Sequence, residues 1–142
     1  MNCALGFDVG TRLIGVAVGN RLTATARPLD VIEVRKGEPD WARMDHLVRA
    51  WQPDELIVGL PLDGDGGEQP MTRTARRFAE HLGKRYGLTP HFCDERNSSQ
   101  EAARRFAAQR AAGLRRRSDG QRIDAEAAAV ILESWLRDGI AP

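Results

Sequence analysis

The chain opens on apolar, strand-length runs broken by short polar turns. In Ala4–Gly10 (ALGFDVG), Leu5 and Phe7 share one face while Gly6 and Asp8 share the other, which predicts a core strand that stops at an acid. Leu13–Gly19 and Ala24–Val34 continue the pattern, joined by the polar turn at Asn20 and Arg21. Pro28 has no N–H for a ladder, so the third strand lies at an edge or begins there. Three strands with short connections predict an antiparallel meander.

The period then lengthens. From Asp40, the residues Trp41, Met44, Leu47/Val48 and Trp51 recur at helical spacing, and Pro53 closes the segment. Both tryptophans read as core residues rather than base-stacking platforms. Glu55–Leu60, bounded by Pro53 and Pro61, reads as a buried strand of the parallel type. The loop PLDGDGGEQP leaves that strand's carboxyl end, where an active-site lid is favoured over an ordinary surface excursion. A helix from Thr72 to Tyr86 carries Ala75, Phe78, Ala79, Leu82 and Tyr86 on its apolar stripe and ends at Gly87. Thr89–Glu95 reads as a fifth strand, Ser98–Ala111 as a helix, and Ala112–Gln121 as a mobile basic loop. The last helix runs from about Asp124 to Arg137, with Ala128, Ile131 and Trp135 stacked above Asp124. Residues 1–142 thus form one α/β domain: a five-stranded mixed sheet with helices on both sides.

Composition adds two things. A chain of 142 residues buries enough surface to need neither disulfides nor a structural metal. Cys3 and Cys93 show no metal-ligand spacing, and no basic start precedes an apolar export segment or membrane span, so a reducing cytoplasm is the expected compartment. Charge is more informative than its total of +1. Residues 1–72 hold 7 basic and 11 acidic side chains (net −4), residues 73–122 hold 13 and 5 (net +8), and residues 123–142 hold 1 and 4 (net −3). The basic middle either solvates outer helix faces or attracts a polyanion such as nucleic acid.

Three acids end elements that should converge on one edge of the sheet. Asp8 closes the first strand, Glu95 the fifth, and Asp124 opens the last helix on its apolar face. Each has a plain structural role available: Asp8 as a turn former, Glu95 as the partner of Arg96, Asp124 as a helix cap. Together they suit a shared site. Close carboxylates raise one another's pKa unless a cation intervenes, and an all-oxygen set without His or Cys favours Mg²⁺ or Mn²⁺. The use of such a site is two-metal phosphoryl chemistry. Asp94, one step along the strand, should face the other way and ranks second. Phosphate-loop and dinucleotide fingerprints are absent, and His46, His81 and His91 are scattered, which argues against a covalent nucleophile.

The blocks GFDVGTRLIGVAVGN, TARPL, PDELIVGLPLDGDGGEQP, the DER of Asp94–Arg96 followed by Ser98 and Ser99, and IDAEAAAVILESW resemble the YqgF (RuvX) family in order and over almost the whole chain. The resemblance implies a ribonuclease H-like fold and a nuclease that trims the 5′ end of precursor 16S ribosomal RNA, with Holliday-junction resolution as the older assignment. It carries the family's metal-binding acids onto Asp8, Glu95 and Asp124. It also implies phosphate contacts from Thr11, Arg12, Arg96, Ser98, Ser99 and Arg122. Ser99 stands where the family has a Thr, and Arg122 replaces its lysine, so a forked guanidinium stands in for a point charge. The implied partner is nucleic acid, not a membrane, bound by a monomer or homodimer. Two other classes stay open: a non-catalytic RNA-binding assembly factor, and an ATP-binding fold of the actin and sugar-kinase type, which uses D-x-G-T turns but needs two such domains.

Overall fold

The computed structural model describes residues 2–62, 65–94 and 123–138. Strands β1 (Cys3–Val9), β2 (Leu13–Asn20) and β3 (Thr25–Arg35) form the expected meander, followed by the two-residue β4 (Glu38–Pro39) and helix α1 (Trp41–Trp51). Then come β5 (Glu55–Leu60), α2 (Pro70–Tyr86), β6 (His91–Asp94) and, after the undescribed stretch, α3 (Ile123–Asp138). The sheet has six strands in the order β4-β3-β2-β1-β5-β6. The sixth is β4, whose two residues pair with Val34 and Arg35 and carry too little pattern to be read from sequence. β1, β5 and β6 run parallel to one another, so their carboxyl ends share one edge. Pro28 sits in β3 beside a register shift opposite Val16 and Ala17, where a missing N–H does least harm.

Local chemistry sets the helix ends. Asp40 caps α1 by accepting from the Arg43 N–H at 3.1 Å, and Gln52 ends the helix in the left-handed region before Pro53. α2 begins at Pro70 rather than Thr72. Proline suits the first helical position, and Gln69 with Thr72 forms a capping box ahead of it. The Thr72 hydroxyl also donates to the Pro61 carbonyl, tying the acidic loop to the helix it precedes. β6 starts two residues later than the expected Thr89, beyond Pro90. The expected helix Ser98–Ala111 and loop Ala112–Gln121 lie outside the described residues.

The two faces of the sheet bury different things. Leu5, Phe7, Val16 and Val58 point toward α1 and α2, where Phe7 meets Phe78 edge-on at 5.5 Å between ring centroids. Ala4, Ala17 and Ile57 point the other way, under Ala128, Ile131, Leu132 and Trp135 of α3. Gly6 lies there too, and a Cβ on it would come within 2.8 Å of the Leu132 Cβ, so α3 lies closer than ordinary side chains allow. Around its far end Arg21 pairs with Glu55 and stacks on Trp135 at 5.2 Å, and His91 packs on the same ring at 5.1 Å. The apolar contact dominates the docking of α3. Truncating a fully buried leucine such as Leu132 costs about 2–5 kcal/mol, while a surface ion pair contributes about 1 kcal/mol at most.

α1 and α2 are joined at the surface by Asp45. Its carboxylate accepts two bonds from Arg85, at 2.8 and 2.6 Å, and one from the Tyr86 hydroxyl at 2.7 Å. The Arg85 bonds, then that of Tyr86, hold this carboxyl far below the usual range. A depressed folded pKa gives stability that is present above the unfolded value, near ~3.9, and lost as pH falls below it. Asp45→Asn should therefore flatten the loss of stability between about pH 4 and pH 2. Urea midpoints across that range check this, and an unchanged acid slope would count against the tie.

Candidate active site

Asp8 is the next-to-last residue of β1 and half-buried on the α3 face. It pairs across the ladder with Gly15 of β2, so the two residues share that face. Asp124, in the first turn of α3, is half-buried, and its backbone passes over Gly15. A Cβ on Gly15 would lie 1.9 Å from the Asp124 carbonyl oxygen and 2.8 Å from the Ala125 nitrogen. Only a residue without a side chain allows this approach. Asp8, on the neighbouring strand, and Asp124, above Gly15, are thereby brought to one end of one face. Desolvation by burial raises the Asp124 carboxyl above the ordinary aspartate value.

The turn after Asp8 is pinned at both ends. The Gly10 N–H donates to the Leu13 carbonyl at 2.9 Å, and the Arg12 carbonyl accepts from the Val34 N–H at 2.8 Å. Thr11 and Arg12 are exposed on this rigid turn, beside the acid. Of the other expected site residues, Glu95, Arg96, Ser98, Ser99 and Arg122 lie outside the described residues. Asp94 ends β6 on the face away from Asp8. His91 and Cys93 pack toward α3, whereas Phe92 lies under Arg76 of α2, and Asp94 alternates with Phe92.

Among the described residues no three acids, histidines or cysteines come together. The donor set that is present, two carboxylates at the sheet edge, fits a hard divalent cation and offers nothing to a soft one. Pattern reading passed over Gly15, which admits the start of α3. Its signal was the small-residue run Gly6, Gly15, Ala17, Gly19 on one face of two adjacent strands.

A family model described as RuvX, Holliday junction resolvase, matches residues 2–138. The chain belongs to the RuvX family. A curated relative from Xanthomonas axonopodis pv. citri, named "Putative pre-16S rRNA nuclease", is 52% identical over 132 residues, covering 93% of this chain and 85% of its own. One of the same name from Xylella fastidiosa is 54% identical over 134 residues, covering 94% and 86%. Among solved structures, Thermus thermophilus RuvC in complex with a Holliday junction substrate superposes with a TM-score of 0.57 at 19% identity, covering 98% of this chain and 97% of that one. A second structure of that RuvC gives 0.55 at 18% identity. At such identity the likeness speaks for the fold, which is ribonuclease H-like as expected.

Because Gly15 admits the start of α3, Gly15→Ala should move that helix and separate Asp124 from Asp8. The overpacking should cost about 1–3 kcal/mol, read as a lower urea midpoint. A midpoint equal to that of wild type would show that α3 does not depend on this approach.

Proposed function

We infer that this RuvX protein is a nuclease that hydrolyses phosphodiester bonds and trims the 5′ end of precursor 16S ribosomal RNA. The observation that carries the reading is the convergence of Asp8 and Asp124 through Gly15, beside the Gly10–Arg12 turn. Relatives above 50% identity named for the RNA reaction support RNA over junction DNA, since the likeness to RuvC rests on fold alone.

In this reading Asp8 and Asp124, with Glu95 as the third ligand, would hold Mg²⁺ or Mn²⁺, which would activate water and stabilise the charge that develops during phosphodiester hydrolysis. The chain's own residues position the substrate. The pinned turn presents the Thr11 hydroxyl and the Arg12 guanidinium to a phosphate near the acids. Arg96, Ser98, Ser99 and Arg122 extend that grip along the backbone. The Leu62–Glu68 bridge and the pairing of Arg76 with Glu68 at 2.8 Å hold the described part of the segment between β5 and α2 in place, and that segment serves as the lid at the carboxyl end of β5. Water adds to phosphorus and one P–O bond breaks, with the phosphate left on one product end. The protein works in the cytoplasm, where its substrate is made.

Cleavage of precursor 16S RNA and of a four-way DNA junction, each in Mn²⁺ or EDTA, tests the assignment. Wild type should cut the RNA only with metal, and Asp8→Asn should lose cutting by at least about 100-fold while still binding RNA. Full activity in that variant would remove Asp8 from the site, and preferential cutting of the junction would reverse the choice of substrate.

Asp124 gives a test that needs no substrate. An aspartate with a raised folded pKa makes the metal-free fold less stable as pH rises through that pKa. Asp124→Asn should raise the melting temperature of metal-free protein at pH 8 and abolish the upward shift that Mn²⁺ gives wild type. That Mn²⁺ shift should also shrink at pH 5, where protons compete for the carboxylate. A variant that melts lower than wild type without metal, or still responds fully to Mn²⁺, would contradict this role.

A further inference from the structure

On the opposite face of the sheet from Asp8, at the same edge, a groove of about 540 Å³ opens beside the Gly10–Arg12 turn. Its volume falls in the range of sites that hold small organic ligands, about 300–1,000 Å³. Val34, Pro39 and Trp41, each partly exposed, contribute an apolar floor, and Thr11, Thr74, Arg77 and His81 supply a polar rim. Thr74, Arg77 and His81 follow one another at i, i+3 and i+7 on α2, so they share one helix face. The floor is rigid, because the Trp41 ring stacks on Phe78 at 5.9 Å and on His81 at 6.4 Å. Glu38, the acid in this lining, already accepts from the Trp41 indole N–H at 3.3 Å.

Charge on α2 singles out the rim. The helix carries five cations, and three are neutralised locally: Arg76 by Glu68, Lys84 by Glu80 and Arg85 by Asp45. Arg73 and Arg77 have no acidic partner among the described residues, and of the two Arg77 lines the groove. A guanidinium and hydroxyl at the rim above a flat apolar floor suit a phosphate attached to an aromatic base.

We propose that this groove holds one unpaired nucleotide of the substrate strand, its base on the Val34–Trp41 floor and its phosphate on Arg77 and Thr74. The proposal rests on the reading of the protein as a nuclease acting on RNA, and it deepens that reading. The turn that presents Thr11 to the groove follows Asp8 directly, so a strand crossing it meets the acids on one face and the groove on the other. A base held in a duplex does not reach the floor. The groove would therefore select substrates that are single-stranded next to the cut.

Fluorescence anisotropy with a short single-stranded RNA and with a blunt duplex of the same sequence, in EDTA and with the full chain, tests this. Arg77→Ala should weaken single-strand binding about tenfold and lower the salt slope by about 0.7. Duplex binding should change less than twofold. Thr74→Val should weaken single-strand binding in the same selective way, and a 4-thiouridine probe should crosslink to peptides containing Trp41 or His81. Unchanged single-strand binding in both variants, or equal losses for single strand and duplex, would overturn the groove. The nuclease reading fails separately. If wild type cuts neither RNA nor junction while single-strand binding still depends on Arg77, the groove stands and the nuclease assignment falls.

Discussion

The close approach of α3 to the sheet is the constraint on which the rest of the arrangement depends. A helix normally rides on side chains that keep its axis well clear of the strands beneath it. Here Gly6 lies directly beneath the Leu132 Cβ and Gly15 beneath the Asp124 carbonyl, so at these points the backbone of the sheet meets the helix without an intervening side chain. The helix is thus lowered onto the ladder at Gly15, the cross-strand partner of Asp8. Short side chains have few rotamers, which suits a site whose donors must be held within fractions of an ångström.

The two faces of the sheet divide the work between them. Under α1 and α2, branched and aromatic residues fill the space, and Phe7, Phe78 and Leu82 supply bulk burial. Under α3, contact is made by alanine, glycine and a few large residues such as Ile131, Leu132 and Trp135. The first face stabilises the domain, and its edge leaves room for a groove. The second positions charge. Placing Asp124 where burial raises its pKa is unfavourable for the fold by itself, and the apolar contacts of Leu132 and Trp135 further along the helix offset it.

Much of this was legible in the sequence, for physical reasons that also mark the limits. β1 and β2 alternate strictly because one face meets large side chains and the other meets a helix, so both the strands and the facing of Asp8 follow from period two. The place of Asp8 at the end of β1 was legible too, at the edge where parallel strands bring their carboxyl ends together. The true start of α2 was not, since Pro61 and Pro70 look alike as boundaries while only Pro70 follows a residue able to cap a helix. β4 was invisible because two residues have no period. The groove was invisible for a different reason. Thr11, Trp41 and Arg77 come from three segments, and the excess charge of Arg77 shows only after the partners of its neighbours are known.

Fold and sequence also carry different weights in assigning the chemistry. A ribonuclease H-like sheet at 18–19% identity to RuvC leaves the substrate open, because one fold serves many reactions. The site narrows it. Asp8 pairs with Gly15 across the ladder, the Asp124 backbone passes over that glycine, and burial raises the Asp124 carboxyl. For stability alone, an uncharged residue of the same shape would serve better at position 124. A half-buried carboxylate kept at the start of a helix that sits this close to the sheet is what the proposed metal role of Asp124 would explain. Under that proposal, metal binding at Asp124 would be coupled to the docking of α3, so the element that completes the site would also be the one its ligand stabilises.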